Sequence, residues 1–259
     1  MNNLFTQAEN FSSAISGGVD PRTGLYNLNL SLGTVKGNGG LGPDFPVTLS
    51  YSPLAQGSDM GFGDGVSLGF STYDASSGRL LLSTGEQYQV NWSGQGNKLN
   101  IRQKKLDSYH MEKLDGKAYK IIHCLGDLEF LQGFDYGGDL KLPKQLVSVE
   151  GYTLHIDSVN LNGVMYLSRL RDESETALLN IDYDGNKTTL TFYPDTLEGY
   201  SVVLTTNNGY LVAVGIAVTG YPPHRSGRAL LTHPAPTSGV WRKSAAKDKD
   251  VQFGGTVSI

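Results

Sequence analysis

A chain of 259 residues is long enough to bury one large all-β core or two small ones. Its 33 glycines and 14 tyrosines, with only 18% charged residues, describe an ordered, turn-rich polypeptide and exclude a disordered or long-helical one. The net charge of -4 gives no general attraction to phosphate backbones or anionic lipid, so no nucleic-acid partner is expected.

The first segment, residues 1–12, reads as a flexible N-terminus. "MNNLFTQAENFSSAISGG" lacks the basic start and apolar centre of a cleavable leader, so any export is expected to be leaderless. No apolar run approaches the ~18 residues of a spanning helix, so no membrane span is expected. Period-two alternation begins with "YNLNLSLG", which puts Tyr26, Leu28, Leu30 and Leu32 on one face, and "FPVTLSY" does the same for Phe45, Val47, Leu49 and Tyr51. The pattern runs on through "GRLLLSTGEQYQV", "KAYKIIHCLGDLEFLQ", "YTLHIDSVN", "LLNIDYDGNKTTLTFY" and "YSVVLTTNNGYLVAV", with turn signals at the spacing of an all-β fold. Asp115-Gly116, Asp184-Gly185 and Asn208-Gly209 are hairpin dipeptides, because these residues tolerate the positive φ of type I′ turns. "DESETALL", Asp172 to Leu179, has helical potential for a single turn at most.

Residues 13–219 therefore read as one all-β domain of consecutive antiparallel hairpins forming an extended, curved sheet. Its last strand, Gly209 to Val218, is the most apolar and carries no charge or proline, so an open edge there favours self-association. Residues 220–259 differ in composition. Arg225, Arg228, Arg242, Lys243, Lys247 and Lys249 face only Asp248 and Asp250, and Pro222, Pro223, Pro234 and Pro236 interrupt any alternation. This basic, Pro-rich stretch is expected to be a disordered, mobile C-terminal tail.

Few residues have the pattern of a chemical site. "GNGGLG", Gly37 to Gly42, fits a dinucleotide fingerprint by letter, but Pro43 and Pro46 lead into a strand rather than the helix that would hold a pyrophosphate. "DYDGN", Asp182 to Asn186, places its glycine too early for a calcium loop and has Tyr193 where the closing glutamate belongs. "GFGDGVSL", Gly61 to Leu68, is a single copy of a motif that binds calcium only when repeated. Within a strand, His123 and Cys124 point to opposite faces, which denies them a base–nucleophile bond and leaves Cys124, the lone cysteine, as a small core residue. His155 and Asp157 share a face in "LHID" and are expected to be a solvated pair; the hydrolase alternative makes them base and orienting carboxylate. No catalytic, cofactor-binding or metal-binding residue is therefore assigned, and no cofactor is expected. The other alternative is a carbohydrate- or surface-binding module using Trp92, Tyr109, Tyr136 and Tyr152 as stacking platforms, against the commoner fate of aromatics as core.

One resemblance goes further. "SAISGGVDPRTGLYNLNLSLG", then a proline-led strand ending in Tyr51, the glycines 61, 63 and 65, and Tyr73-Asp74 ahead of Thr84-Gly85-Glu86 follow in order. That series resembles the N-terminal region of bacterial Rhs/YD-repeat proteins, relatives of toxin complexes and polymorphic toxins, from about Ser13 to Val214. "YDASSGRL" resembles one YD unit. Val66 stands where the pattern usually carries Trp, and nothing beyond Val214 continues it. The resemblance implies a non-enzymatic portion of a hollow β-shell around a C-terminal toxin. Its implied partners are the remaining shell or toxin-complex subunits and that toxin. Its implied place is secreted or at the cell surface, after synthesis in the cytoplasm.

Overall fold

The computed structural model describes residues 15–19, 24–56, 59–91, 96–102, 108–135, 138–197 and 199–218, together with the backbone of Ala229–Leu231 and Gly255–Val257. Their regular structure is β, apart from two single-turn 3-10 helices at Asn38–Gly40 and Pro53–Ala55. Four strands, β1 (Ile15–Val19), β2 (Tyr26–Lys36), β3 (Asp44–Tyr51) and β4 (Val66–Leu68), form one antiparallel sheet in sequence order. Alternation places Leu28, Leu30 and Leu32 of β2 and Phe45, Val47 and Leu49 of β3 in the core as expected, while Tyr26 is exposed. A bulge between Ser31 and Gly33 then shifts the register by one, so Val35 is the next buried side chain.

The second sheet begins with β5 (Thr72–Asp74), β6 (Arg79–Leu81), β7 (Gln87–Asn91), β8 (Asn100–Arg102), β9 (Tyr109–Lys113), β10 (Ala118–His123), β11 (Leu128–Gly133) and β12 (Leu140–Val147). Successive strands pair in order, and β12 then returns to β5 through Leu140↔Asp74 and Lys141↔Tyr73. Between β8 and β9 the Lys98↔Glu112 bridge and the bond from Leu99 N to Met111 O complete the circuit. This is a closed eight-stranded barrel, a feature the expected run of hairpins did not contain. Tyr109, Met111, Ile121 and Leu131 are fully buried within its core, so the interior is filled rather than hollow.

From β12 the sheet continues as β13 (Thr153–Leu161), β14 (Val164–Arg171), β15 (Ala177–Asp184), β16 (Lys187–Phe192), β17 (Tyr200–Asn207) and β18 (Tyr210–Val218), an unbroken antiparallel series. Its apolar face, including Leu154, Leu179, Leu190, Phe192 and Leu204, packs with Val47 and Leu49 in one core. Asn208-Gly209 is a type I′ turn with both residues at positive φ, and Asn162-Gly163 is a second one. At Asp184-Gly185 the assignment shifts: Asp184 pairs with Lys187, and Gly185 alone takes positive φ at the first loop position, the type II′ pattern.

Two local expectations are corrected. Residues 172–176 form a loop closed by Asp172 N–H donating to Thr176 O, and Ala177 begins a strand, with no helical turn. The Asp172 carboxylate accepts from the N–H groups of Ser174 and Thr176, which holds the backbone away from helix. Cys124 is exposed, because β10 ends at His123 and the chain turns there. Residues 1–12 lie outside the described residues, and so do all but six of residues 220–259. Within the latter, β19 (Ala229–Leu231) lies parallel to β20 (Gly255–Val257), and β20 pairs with β18 at Val214 and Gly215, so the expected open edge is partly occupied.

Candidate functional site

The sequence motifs resolve into joints between the two sheets. Gly61, Gly63 and Gly65 all take positive φ and make close approaches, with a side chain at Gly63 meeting Leu211 N at 2.7 Å. Asp59 Oδ1 accepts from Gly61 N and Gly63 N, Thr188 Oγ1 donates to Gly61 O, and Asp64 N donates to Gly209 O. Phe62 between them is buried in the core, and so is Val66. The loop at Gly37 docks in the same manner: Asn38 N donates to Asp172 Oδ2, and Glu173 N donates to Asn38 Oδ1. It is an inter-strand loop with a single 3-10 turn at Asn38–Gly40 and no α-helix following it to receive a phosphate, and 182–186 is a hairpin turn.

Tyr73 and Asp74 belong to the barrel. Tyr73 is buried edge-on against Tyr119, at 4.8 Å between centroids. Asp74 turns outward, and Ser77 Oγ, Ser76 Oγ and Ser76 N all donate to its carboxylate, which caps the four-residue turn to Arg79. The Ser77 bond, the largest influence, and the Ser76 bonds outweigh burial and hold this carboxyl at about 2. A folded value below the unfolded one stabilises the protein above pH 3.8, and the effect disappears as pH falls through about 2. Asp74→Ala is therefore expected to cost about 1 kcal/mol at neutral pH, after discounting for exposure, and progressively less between those limits. Urea midpoints of both proteins across that range check it; a difference that does not change with pH would contradict the capping role.

Among the described residues the enzymatic and aromatic candidates do not come together into a site. Among the described residues no hydrogen bond joins His155 to Asp157: His155 Nδ1 meets Gln145 Nε2 at 3.3 Å, while Arg171 Nε donates to Asp157 Oδ2 at 2.9 Å. Burial pushes the Asp157 carboxyl up, but the Arg171 bond and charge prevail and hold it low. Tyr109 is buried in the barrel, Tyr152 is half-buried, and Trp92 and Tyr136 lie outside the described residues. No group of three metal-ligating side chains occurs among the described residues, nor a helix long and apolar enough to cross a membrane.

A groove of about 1130 Å³ forms where the polar face of β2 and β3 meets one rim of the barrel. Alternation explains its first wall: with Leu30 and Leu49 turned into the core, Asn29, Ser31, Thr48 and Ser50 face the groove. The opposite wall carries an ion pair. Ile121 and Glu129 are directly paired across β10 and β11, and Glu129 is only 8% exposed at the side chain. Its Oε1 meets His123 Nε2 at 2.7 Å and accepts from Ser83 Oγ, while Ser71 Oγ receives the Ser83 N–H. The Glu129 bond raises the His123 imidazole against the opposing effect of burial. Glu129 escaped the sequence reading because "LEFLQ" carries apolar residues on both faces, Leu128 and Phe130 on one and Leu131 on the other; its spacing of two from buried Leu131 is the signal that places it inward.

Comparison with solved structures finds distant likenesses. The chain is similar to the TcdB2-TccC3 crystal structure at a TM-score of 0.49 and 15% identity, over 78% of this chain and 16% of that one. It is similar to the Tc holotoxin pore of Photorhabdus luminescens at 0.47 and 13%, over 78% and 15%. The N-terminal domain of the effector protein SpvB from Salmonella typhimurium strain LT2 aligns at 0.36 and 13%, over 83% and 78%. This chain thus spans 16% or less of the length of the first two. No family model matches the sequence, and no curated protein does.

Proposed function

We propose that this chain is a non-enzymatic structural portion of an Rhs/YD-repeat, toxin-complex-like protein, one part of a β-shell that encloses or presents a C-terminal toxin. The observation that carries the reading is that the motifs of the resemblance are spent on packing. Tyr73 fills the barrel, Asp74 caps its own turn, and the three glycines seat a loop between sheets. The ordered series of motifs from Ser13 to Val214 and the run of hairpins from β13 to β18 support it further. Its partners are the remaining shell or toxin-complex subunits and the toxin, with sheet edges as joints, β1 and β4 among them. The product is made in the cytoplasm and acts outside the cell.

Extending the chain through its downstream reading frames and digesting the product with protease tests this. The expected result is a further hairpin array followed by a toxin segment that resists digestion while the shell is intact. An unrelated downstream sequence, or a segment cut as fast as the free one, would overturn the proposal.

A further inference from the structure

We propose that the mouth of the barrel beside Tyr73 and Tyr119 is a binding site for a neutral pyranose sugar. At this end β5, β7 and β9 finish while β6 and β10 begin, and the strand ends surround a cavity of about 410 Å³. That is the size of a small-molecule pocket, and the mouths of barrels are a common place for one. Tyr73 and Tyr119, 5% and 8% exposed, form its floor, and Ser76, Ser77 and Gln89 stand on its rim.

The floor supplies donors. The two rings meet edge-on, so packing holds each hydroxyl in place. Neither Tyr73 Oη nor Tyr119 Oη has a hydrogen-bond partner among the described residues, and neither is fully enclosed, unlike Tyr109 Oη at the other end of the barrel. Both therefore keep surface that a bound molecule can reach. Burial raises both phenols, which stay protonated at neutral pH and can donate. A hydroxyl in such a place calls for water or a ligand oxygen.

The rim supplies acceptors. Ser76 Oγ donates to Asp74 Oδ1 at 2.7 Å and Ser77 Oγ to Asp74 Oδ2 at 2.6 Å, so both protons are committed and the Ser76 oxygen is left to accept. Gln89 Nε2 donates to Ser77 O at 2.6 Å, which fixes the amide and leaves Oε1 as an acceptor. Charge favours neither sign of ligand: Lys113 lines the cavity, Asp74 is bonded to Ser76, and the adjoining stretch 92–95 has no charged residue in its sequence. Each hydroxyl of a sugar both donates and accepts, and a pyranose carries such groups on opposite sides of one ring, so a single molecule can satisfy floor and rim together. An apolar ligand would leave these polar atoms unpaired. This inference does not depend on the shell reading.

Titration of the full chain with the methyl β-glycosides of glucose, galactose, mannose and N-acetylglucosamine, followed by ligand-observed NMR, tests it. At least one is expected to bind. Tyr119→Phe, which removes a hydroxyl and keeps the ring, should weaken that binding about three- to tenfold. Gln89→Leu on the exposed rim should do the same, and it decides the matter if Tyr119→Phe does not fold. Tyr109→Phe should leave binding unchanged, because that hydroxyl lies at the opposite end of the barrel. Binding of none of these glycosides, or binding that neither the floor nor the rim variant weakens, would overturn the site. Methyl β-D-glucuronide binding more than about tenfold tighter than the best neutral glycoside would overturn the neutral class.

Discussion

Replacing Gly63 with alanine is expected to lower the free energy of unfolding by about 3–5 kcal/mol, the combined scale of backbone strain and overpacking. The backbone there has φ of 106°, outside even the left-handed helical region that other residues occasionally adopt. The added methyl would also stand 2.7 Å from Leu211 N, and β18 cannot retreat without breaking the Asp64 N to Gly209 O bond and uncovering Phe62. Gly85→Ala provides the control. Gly85 has φ of 85° but open space around it, so its replacement should cost only the conformational part, about 1 kcal/mol. Urea unfolding of the two variants distinguishes the contributions, and equal losses would show that the close approach at Gly63 is not what requires glycine.

The next largest effect belongs to Asp172→Ala, with an expected loss of about 2–4 kcal/mol from backbone donors left without an acceptor in a buried place. Asp172 is 4% exposed and accepts from Asn38 N, Ser174 N and Thr176 N, thereby tying the β2–β3 loop to the β14–β15 loop. Burial alone would raise its carboxyl, but the Asn38, Thr176 and Ser174 bonds win and hold it below the ordinary range. The stabilisation is accordingly complete above the unfolded value of 3.8 and declines as pH falls through the lower folded one. Thermal melts of both proteins at neutral and acid pH check this. An alanine variant that melts with the parent at neutral pH would mean that the loop docks without its carboxylate.

Alternation made β2, β3 and most of the later strands legible, because one buried face leaves a period of two in the sequence. Asn208-Gly209 was equally legible, and Asn162-Gly163 carries the same signal although it was not singled out. What stayed hidden is non-local. Nothing around Tyr73 or Leu140 announces that β5 and β12 pair, since each strand reads the same whether its neighbour is near or distant in sequence. Asp172 misled for a related reason: "DESETALL" has the composition of a helix turn, but its first side chain competes for the backbone donors. Cys124 followed from an assumption that the strand ran one residue longer than it does. In the candidate groove, Ser31 and Ser50 were readable as polar faces of known strands, whereas Glu129 depended on barrel closure to become buried.

That closure bears on how the protein is made. A nascent chain emerges from the ribosome N-terminus first, so β1 to β4 are complete long before the strands that cover them. Val35, Phe45, Val47 and Leu49 share their core with residues from Leu142 to Val214, and β5 waits for Leu140 to close its barrel. Until β18 has been translated, the first sheet therefore presents a bare apolar face. Holdase chaperones are expected to associate with ribosome-bound chains stalled after Leu68 and to release those extended past Val218.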